Sequence, residues 1–178
     1  MIPIPGVLTS GTFARAGRPI SGIRPNGTLP FGIDGNIYTI REIHAMNTEA
    51  TGTFTSKSWD EKTYSEIEGG PKLTRASVIN TYSGKIEGEG TLEYLLTYAS
   101  KISCTFIGTE RIVGSIGGRS GSIVLQHAGI YSEGGVKGRW TIALDSGTGD
   151  LAGIRGEGSY TVPPGEHSAS YKLGYDMA

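Results

Sequence analysis

The clearest alternation in the chain lies at 85–96. Ile86, Gly88, Gly90, Leu92, Tyr94 and Leu96 share one parity, while Lys85, Glu87, Glu89, Thr91 and Glu93 share the other. Successive side chains of a strand point to opposite faces, so this segment predicts a strand with one face in a core and one in water. Similar signals recur from Ala50 onward, and the pattern predicts strands at 50–58, 73–82, 85–98, 103–113, 120–131, 136–144, 151–161 and 169–176. Turn-rich pieces separate them: Glu68-Gly69-Gly70-Pro71, Ser83-Gly84, 114–118, 132–135 and 145–149. No stretch holds a helical period over ten or more residues. Eight short strands at this spacing predict an all-β fold, a closed antiparallel barrel or a sandwich.

Folding the strands about their turns gives an expected interior. With Ser132-Glu133-Gly134-Gly135 as a turn, Tyr131 faces Val136, His127 faces Trp140, Leu125 faces Ile142 and Ile123 faces Leu144. That parity is nearly all apolar, and the other carries Gln126, Lys137, Arg139 and Thr141. Folding the preceding hairpin about Ile116 sets Thr105 against His127 and Ile107 against Leu125, with Glu110 on the outer face. For Arg155 and Glu157 two registers remain open. The β-hairpin alignment turns them inward. The quasi-repeat of Ile86-Glu87-Gly88-Glu89-Gly90 in Ile154-Arg155-Gly156-Glu157-Gly158 turns them outward.

Residues 1–45 read differently. Pro3, Pro5, Pro19, Pro25 and Pro30 interrupt regular structure, and only 36–43 resembles a strand. The division expected is an N-terminal extension at 1–45, either loose or docked as an arm, followed by a β-barrel domain at 46–178. Residues 1–16 end in the small-x-small triplet Ala14-Arg15-Ala16 of a signal peptide but have no basic opening stretch, and Pro3 and Pro5 break up the apolar run.

Glycine sharpens the picture. It supplies 29 of 178 residues, more than twice the usual ~7%, and it is scattered, which suits short strands, tight turns and bends at barrel corners. Gly147-Thr148-Gly149 mimics part of a dinucleotide fingerprint but has no following helix, so it is read as a hairpin turn. Sixteen basic residues balance seventeen acidic ones, which argues against a nucleic-acid surface. No apolar run has the ~18 residues of a helical membrane span. The single Cys104 excludes an internal disulfide and favours a cytoplasmic setting.

Several ordered strings carry a family resemblance: Ala50-Thr51-Gly52-Thr53-Phe54, Lys57-Ser58-Trp59-Asp60-Glu61, Gly69-Gly70-Pro71-Lys72-Leu73-Thr74-Arg75-Ala76, Gly88-Glu89-Gly90-Thr91, Glu110-Arg111, Gly117-Gly118-Arg119-Ser120-Gly121-Ser122, Val124-Leu125-Gln126-His127 and Gly153-Ile154-Arg155-Gly156-Glu157-Gly158. Together, over about 50–176, they resemble a bacterial domain-of-unknown-function family of the allene-oxide-cyclase-like barrel group. The resemblance implies an eight-stranded antiparallel barrel with a central cavity, often self-associated. Plant allene oxide cyclases cyclise a fatty-acid epoxide, but their catalytic residues do not align onto this chain, so no activity transfers.

The candidate chemistry centres on His127, an imidazole able to move a proton if a substrate reaches it. A buried histidine is more often a satisfied structural group. Glu110 and Arg155 are further catalytic candidates, as an acid or an anion clamp, against the plainer reading of exposed charges. Tyr94, Thr105, Ile107, Leu125, Trp140, Ile142, Trp59, Arg75 and Glu157 are candidate ligand-binding residues. His44 and His167 recommend no metal site, Cys104 has no activating neighbour, and no cofactor is expected. Three readings follow. The first is a barrel binding a small hydrophobic or planar ligand, the second an isomerase or cyclase using the cavity, and the third a non-catalytic homo-oligomeric module with a filled barrel.

Overall fold

The alternation closes on itself. The protein, seen here as a computed structural model that describes residues 48–177, forms eight strands: β1 Thr48–Ser65, β2 Lys72–Gly84, β3 Ile86–Ser100, β4 Ser103–Ile116, β5 Arg119–Ser132, β6 Gly135–Ile142, β7 Arg155–Val162 and β8 Ser168–Asp176. Each strand pairs antiparallel with the next, and β8 returns to β1 to complete a closed barrel. Closure leaves no sheet edge to protect. The extension expected at 1–45, its candidate strand and His44 lie outside the described residues.

Strand β3 alternates as its sequence predicts, with Ile86, Gly90, Leu92, Tyr94 and Leu96 buried. The β5–β6 register is also the expected one, pairing Leu125 with Ile142, His127 with Trp140 and Tyr131 with Val136. The preceding hairpin is not. Its turn is Gly117-Gly118, with φ of 58° and 84°, a conformation that glycine adopts freely and that two-residue hairpins require. Ile116 therefore pairs with Arg119, Gly108 with His127, and Glu110 with Leu125. An odd shift of register moves every side chain of β4 to the other face. Thr105 and Ile107 are exposed, contrary to expectation, and Glu110 is inside at 0% exposure.

The connection between β6 and β7 is no tight hairpin. Strand β6 ends at Ile142, leaving Leu144 exposed instead of paired with Ile123, and a 3₁₀ turn occupies Gly149–Leu151. The reason is apolar: Leu151 and Ile154 are both buried, so the loop folds inward as a plug. Its polar atoms take over the flank of β5. Thr148 N donates to Ser122 O at 2.9 Å, and Val124 N donates to the Ser146 hydroxyl at 3.1 Å.

Inside the barrel, large rings lie across glycines of neighbouring strands. Tyr94 pairs with Gly108, Phe106 with Gly129, Tyr160 with Gly138, Trp140 with Gly158 and Tyr171 with Gly52. A β-carbon at any of these glycines would overlap the ring or its hydroxyl. Part of the glycine excess is thus room for aromatic side chains in a narrow lumen.

Candidate functional site

The two ends of the lumen differ. The end formed by the start of β1, the start of β3 and the end of β4 is filled by Ala50, Ile86, Ile112, Ile116, Ile123 and Leu173, with Leu151 and Ile154 beneath. The opposite end holds a cavity of about 300 Å³ walled by Phe54, Trp59, Tyr94, Phe106, Tyr131 and Tyr160 together with Ser56, Asn80, Leu96, Tyr98, Cys104, Val136 and Val162. A β-bulge between Ser56 and Ser58 helps shape it. The extra residue changes the parity of β1, so that Phe54 and Ser56 before it and Trp59 after it all reach the lumen side. Trp59 sits at the rim, 49% exposed, its ring 6.0 Å from that of Tyr94. Its indole N–H donates to Glu61 at 2.9 Å, and Thr74 donates to the other carboxylate oxygen at 2.6 Å. Partial burial opposes ionisation of Glu61, but donation from Thr74, Trp59 and Tyr98 and the charge of Lys72 together hold its carboxyl below the usual range.

Between the filled end and the cavity runs a buried polar chain. The Glu110 carboxylate accepts from Asn80 Nδ2 at 2.9 Å and from the Tyr82 hydroxyl at 2.7 Å. Nε2 of His127 lies 2.9 Å from Glu110 Oε2, without the alignment of a good hydrogen bond. On the other side of the imidazole, Nδ1 is 3.3 Å from the Tyr94 hydroxyl and 3.2 Å from the Tyr160 hydroxyl, and the two hydroxyls are 3.0 Å apart. Ser56 donates to Asn80 Oδ1 at 2.9 Å, which fixes the amide so that its nitrogen faces Glu110. A buried charge needs such partners. Trp140 packs edge-on to His127 with centroids 5.5 Å apart, and its indole N–H is buried without a partner among the described residues.

Burial keeps the phenols protonated. It pushes Tyr82 and Tyr94 well above the ordinary phenol value, with Glu110 adding to Tyr82 and with Tyr160 and then Glu110 adding to Tyr94. Tyr160 is raised chiefly by burial. Cys104, also raised by burial, is a thiol in the cavity wall and no activated nucleophile. The chain Glu110–His127–Tyr94/Tyr160 thus ends, on the cavity side, in two hydrogen-bond donors with an acid–base group behind them.

The structure brings some candidate residues together and separates others. His127, Glu110, Tyr94 and Trp140 meet in or against the polar chain, and Leu125 and Ile142 are buried on the filled side. Trp59 lines the cavity rim. Thr105 and Ile107 point to solvent because of the register of β4. Arg75 is also outside, paired with Glu93 at 2.8 Å. Arg155 and Glu157 are exposed on β7, so the quasi-repeat, not the inward hairpin alignment, describes them. None of these five reaches the lumen.

Asn80, Tyr82 and Tyr160 were not among the candidates, and a signal for two of them was present. Thr74, Ala76, Val78, Asn80 and Tyr82 share the buried parity of β2, and an amide on an otherwise apolar face asks for a partner. Among the described residues no group of three or more potential ligands is placed to hold a metal. No helix there is long and apolar enough to cross a membrane.

A family model described as a protein of unknown function, DUF3224, matches residues 50–175. The crystal structure of a protein with unknown function from the DUF3224 family of Shewanella oneidensis MR-1 is similar, with a TM-score of 0.63 at 28% sequence identity, covering 74% of this chain and 98% of that one. No curated protein matches the chain.

Proposed function

The chain belongs to the DUF3224 family, and we propose that its barrel binds a small, hydrophobic, planar molecule at the open end. The observation that carries this reading is the ring-walled cavity of about 300 Å³. That size is at the low end of small-molecule pockets. Flat rings on several sides suit a flat guest, and each Å² of apolar surface covered contributes roughly 25 cal/mol. Kinship with allene-oxide-cyclase-like barrels belongs to the same proposal and is supported by the closed eight-stranded architecture.

Calorimetric titration of naphthalene into the full chain tests the reading. The expected result is saturable binding that is lost in Ser56→Phe, whose ring would occupy the cavity while the melting transition stays cooperative. Equal binding by wild type and variant, or none by wild type, would overturn it. Native mass spectrometry of the purified protein would identify a co-purified guest.

One observation favours a second reading, an isomerase or cyclase. The imidazole of His127 meets both phenols through Nδ1 and can exchange a proton with them, and unchanged conversion of the co-purified molecule by His127→Ala would remove this reading. Self-association is supported by the exposed pair Leu95 and Ile107, which face each other across β3 and β4 on the outer wall. Ile107→Glu should then reduce the mass seen in sedimentation. The buried free thiol of Cys104 supports a cytoplasmic setting.

A further inference from the structure

We propose that the guest docks a neutral hydrogen-bond acceptor, a ketone-type carbonyl oxygen, on the paired hydroxyls of Tyr94 and Tyr160, an inference that rests on the binding reading above. Both tyrosines line the cavity. Their hydroxyl oxygens and Nδ1 of His127 form a nearly equilateral triangle with sides of 3.0, 3.2 and 3.3 Å. With the imidazole proton on Nε2, toward Glu110, this triangle has three edges and two protons. One edge is always unmade. One phenol donates to Nδ1, and the other donates to the first phenol's oxygen, a weaker acceptor than the ring nitrogen. That second phenol can turn to an incoming oxygen without stranding any buried group, because Nδ1 keeps its donor. Burial holds both phenols in their protonated form, so the donors persist through neutral pH.

The neutrality of the acceptor follows from the wall. No Lys, Arg, His, Asp or Glu is among the cavity-lining residues, and the Glu110 carboxylate sits directly behind Asn80. A bound carboxylate would lose its water, meet no cation and face the charge of Glu110. A cation could lie against the rings but would offer the paired hydroxyls no acceptor. A carbonyl needs only the donor that the tyrosine pair has to spare.

The experiment uses 1-tetralone, its hydrocarbon counterpart tetralin, and 1-naphthoate. Each is titrated into the full chain and into Tyr94→Phe, Tyr160→Phe and the double variant, with the infrared carbonyl stretch of bound tetralone recorded in parallel. In wild type the stretch should fall below its frequency in hexane. In the double variant it should return toward that frequency, and tetralone should bind about tenfold more weakly, the effect of one good hydrogen bond. Tetralin should bind all four proteins alike, and 1-naphthoate should not displace tetralone. A wild-type stretch equal to that in hexane would overturn the proposal even if the double variant fails to fold. So would naphthoate binding as tight as that of tetralone. In either case tetralin binding would leave the binding reading standing, whereas failure of tetralin and tetralone alike would remove both.

Discussion

The two ends of this barrel are built from the same alternating strands and do opposite things. At one end, branched aliphatic side chains from β3, β4, β5 and β8 interdigitate, and the inward fold of 143–154 brings Leu151 and Ile154 beneath them. At the other end Tyr94, Phe106 and Tyr160 lie against glycines of the neighbouring strands and, with Phe54 and Trp59, wall about 300 Å³ that is left unfilled. Side chains of about one size and branched shape pack a lumen to crystal-like density. Rings held against its wall cannot also fill its centre. The lesson is a division of labour: the aliphatic end holds the barrel together, the aromatic end is the one proposed to receive a guest, and the Glu110–His127 layer is the floor between them.

Removing the floor's charge should have the largest effect. Glu110→Leu strands the Tyr82 hydroxyl, the Asn80 amide and the His127 ring that now face the carboxylate. A loss of about 3–5 kcal/mol is expected, read as a lower midpoint in urea unfolding. A variant as stable as wild type would mean that the floor holds nothing in place. Next come matched truncations at the two ends. Ile123→Ala, at 0% exposure in the filled end, should cost about 2–5 kcal/mol. Leu96→Ala borders space that is already empty, so it should cost clearly less and instead weaken naphthalene binding. Equal costs for the two would break the comparison.

Much of this division could be read in advance, and the misses have physical causes. Alternation at 86–96 marked the buried face of β3, and the turn at 132–135 set β5 against β6 in the observed register, because the outward face of β6 is polar. The β4 hairpin failed because its centre was set at Ile116 and not between the paired glycines, and an odd error inverted Thr105, Ile107 and Glu110 together. Charge alone would never bring Glu110 inside. Only the partners across the lumen, Asn80 and Tyr82, explain it. Trp59 reaches the cavity through a bulge that no periodicity announces. The plug at Leu151 was hidden because Gly147-Thr148-Gly149 looks like a tight turn while the apolar residues that need burial come after it.

A smaller effect tests the cavity face of the floor. Tyr94→Phe removes one hydroxyl from the triangle and leaves Tyr160 to serve Nδ1, so a stability loss of about 1 kcal/mol is expected at neutral pH. Its alkaline behaviour is more telling. A phenol whose folded-state value is raised contributes stability that is fully present below its unfolded value of about 10 and is lost as pH rises from there toward the folded value. Wild type should therefore lose stability above pH 10 more steeply than Tyr94→Phe. Parallel alkaline limbs would show that Tyr94 is not held protonated by burial.

The smallest expected effect lies at the rim, where Glu61 anchors Trp59 over the open end. Its folded-state carboxyl titrates below the ordinary value of 4.5. The sign is that of a depressed acid: the contribution is complete above the unfolded value and disappears as pH falls through the folded one. Glu61→Gln should lower stability at pH 7 by less than about 1 kcal/mol, as for a partly exposed charged group, and the gap from wild type should close as the pH drops below 4.5. The groups that act on this carboxylate are Thr74, Trp59, Tyr98 and Lys72, none of them beside Ile123, so Ile123→Ala should shift the whole acid curve downward without changing its shape. If the two variants changed the acid limb in the same way, rim and plug would be one cooperative unit. The open end could then not loosen to admit a guest without loosening the end that holds the barrel together.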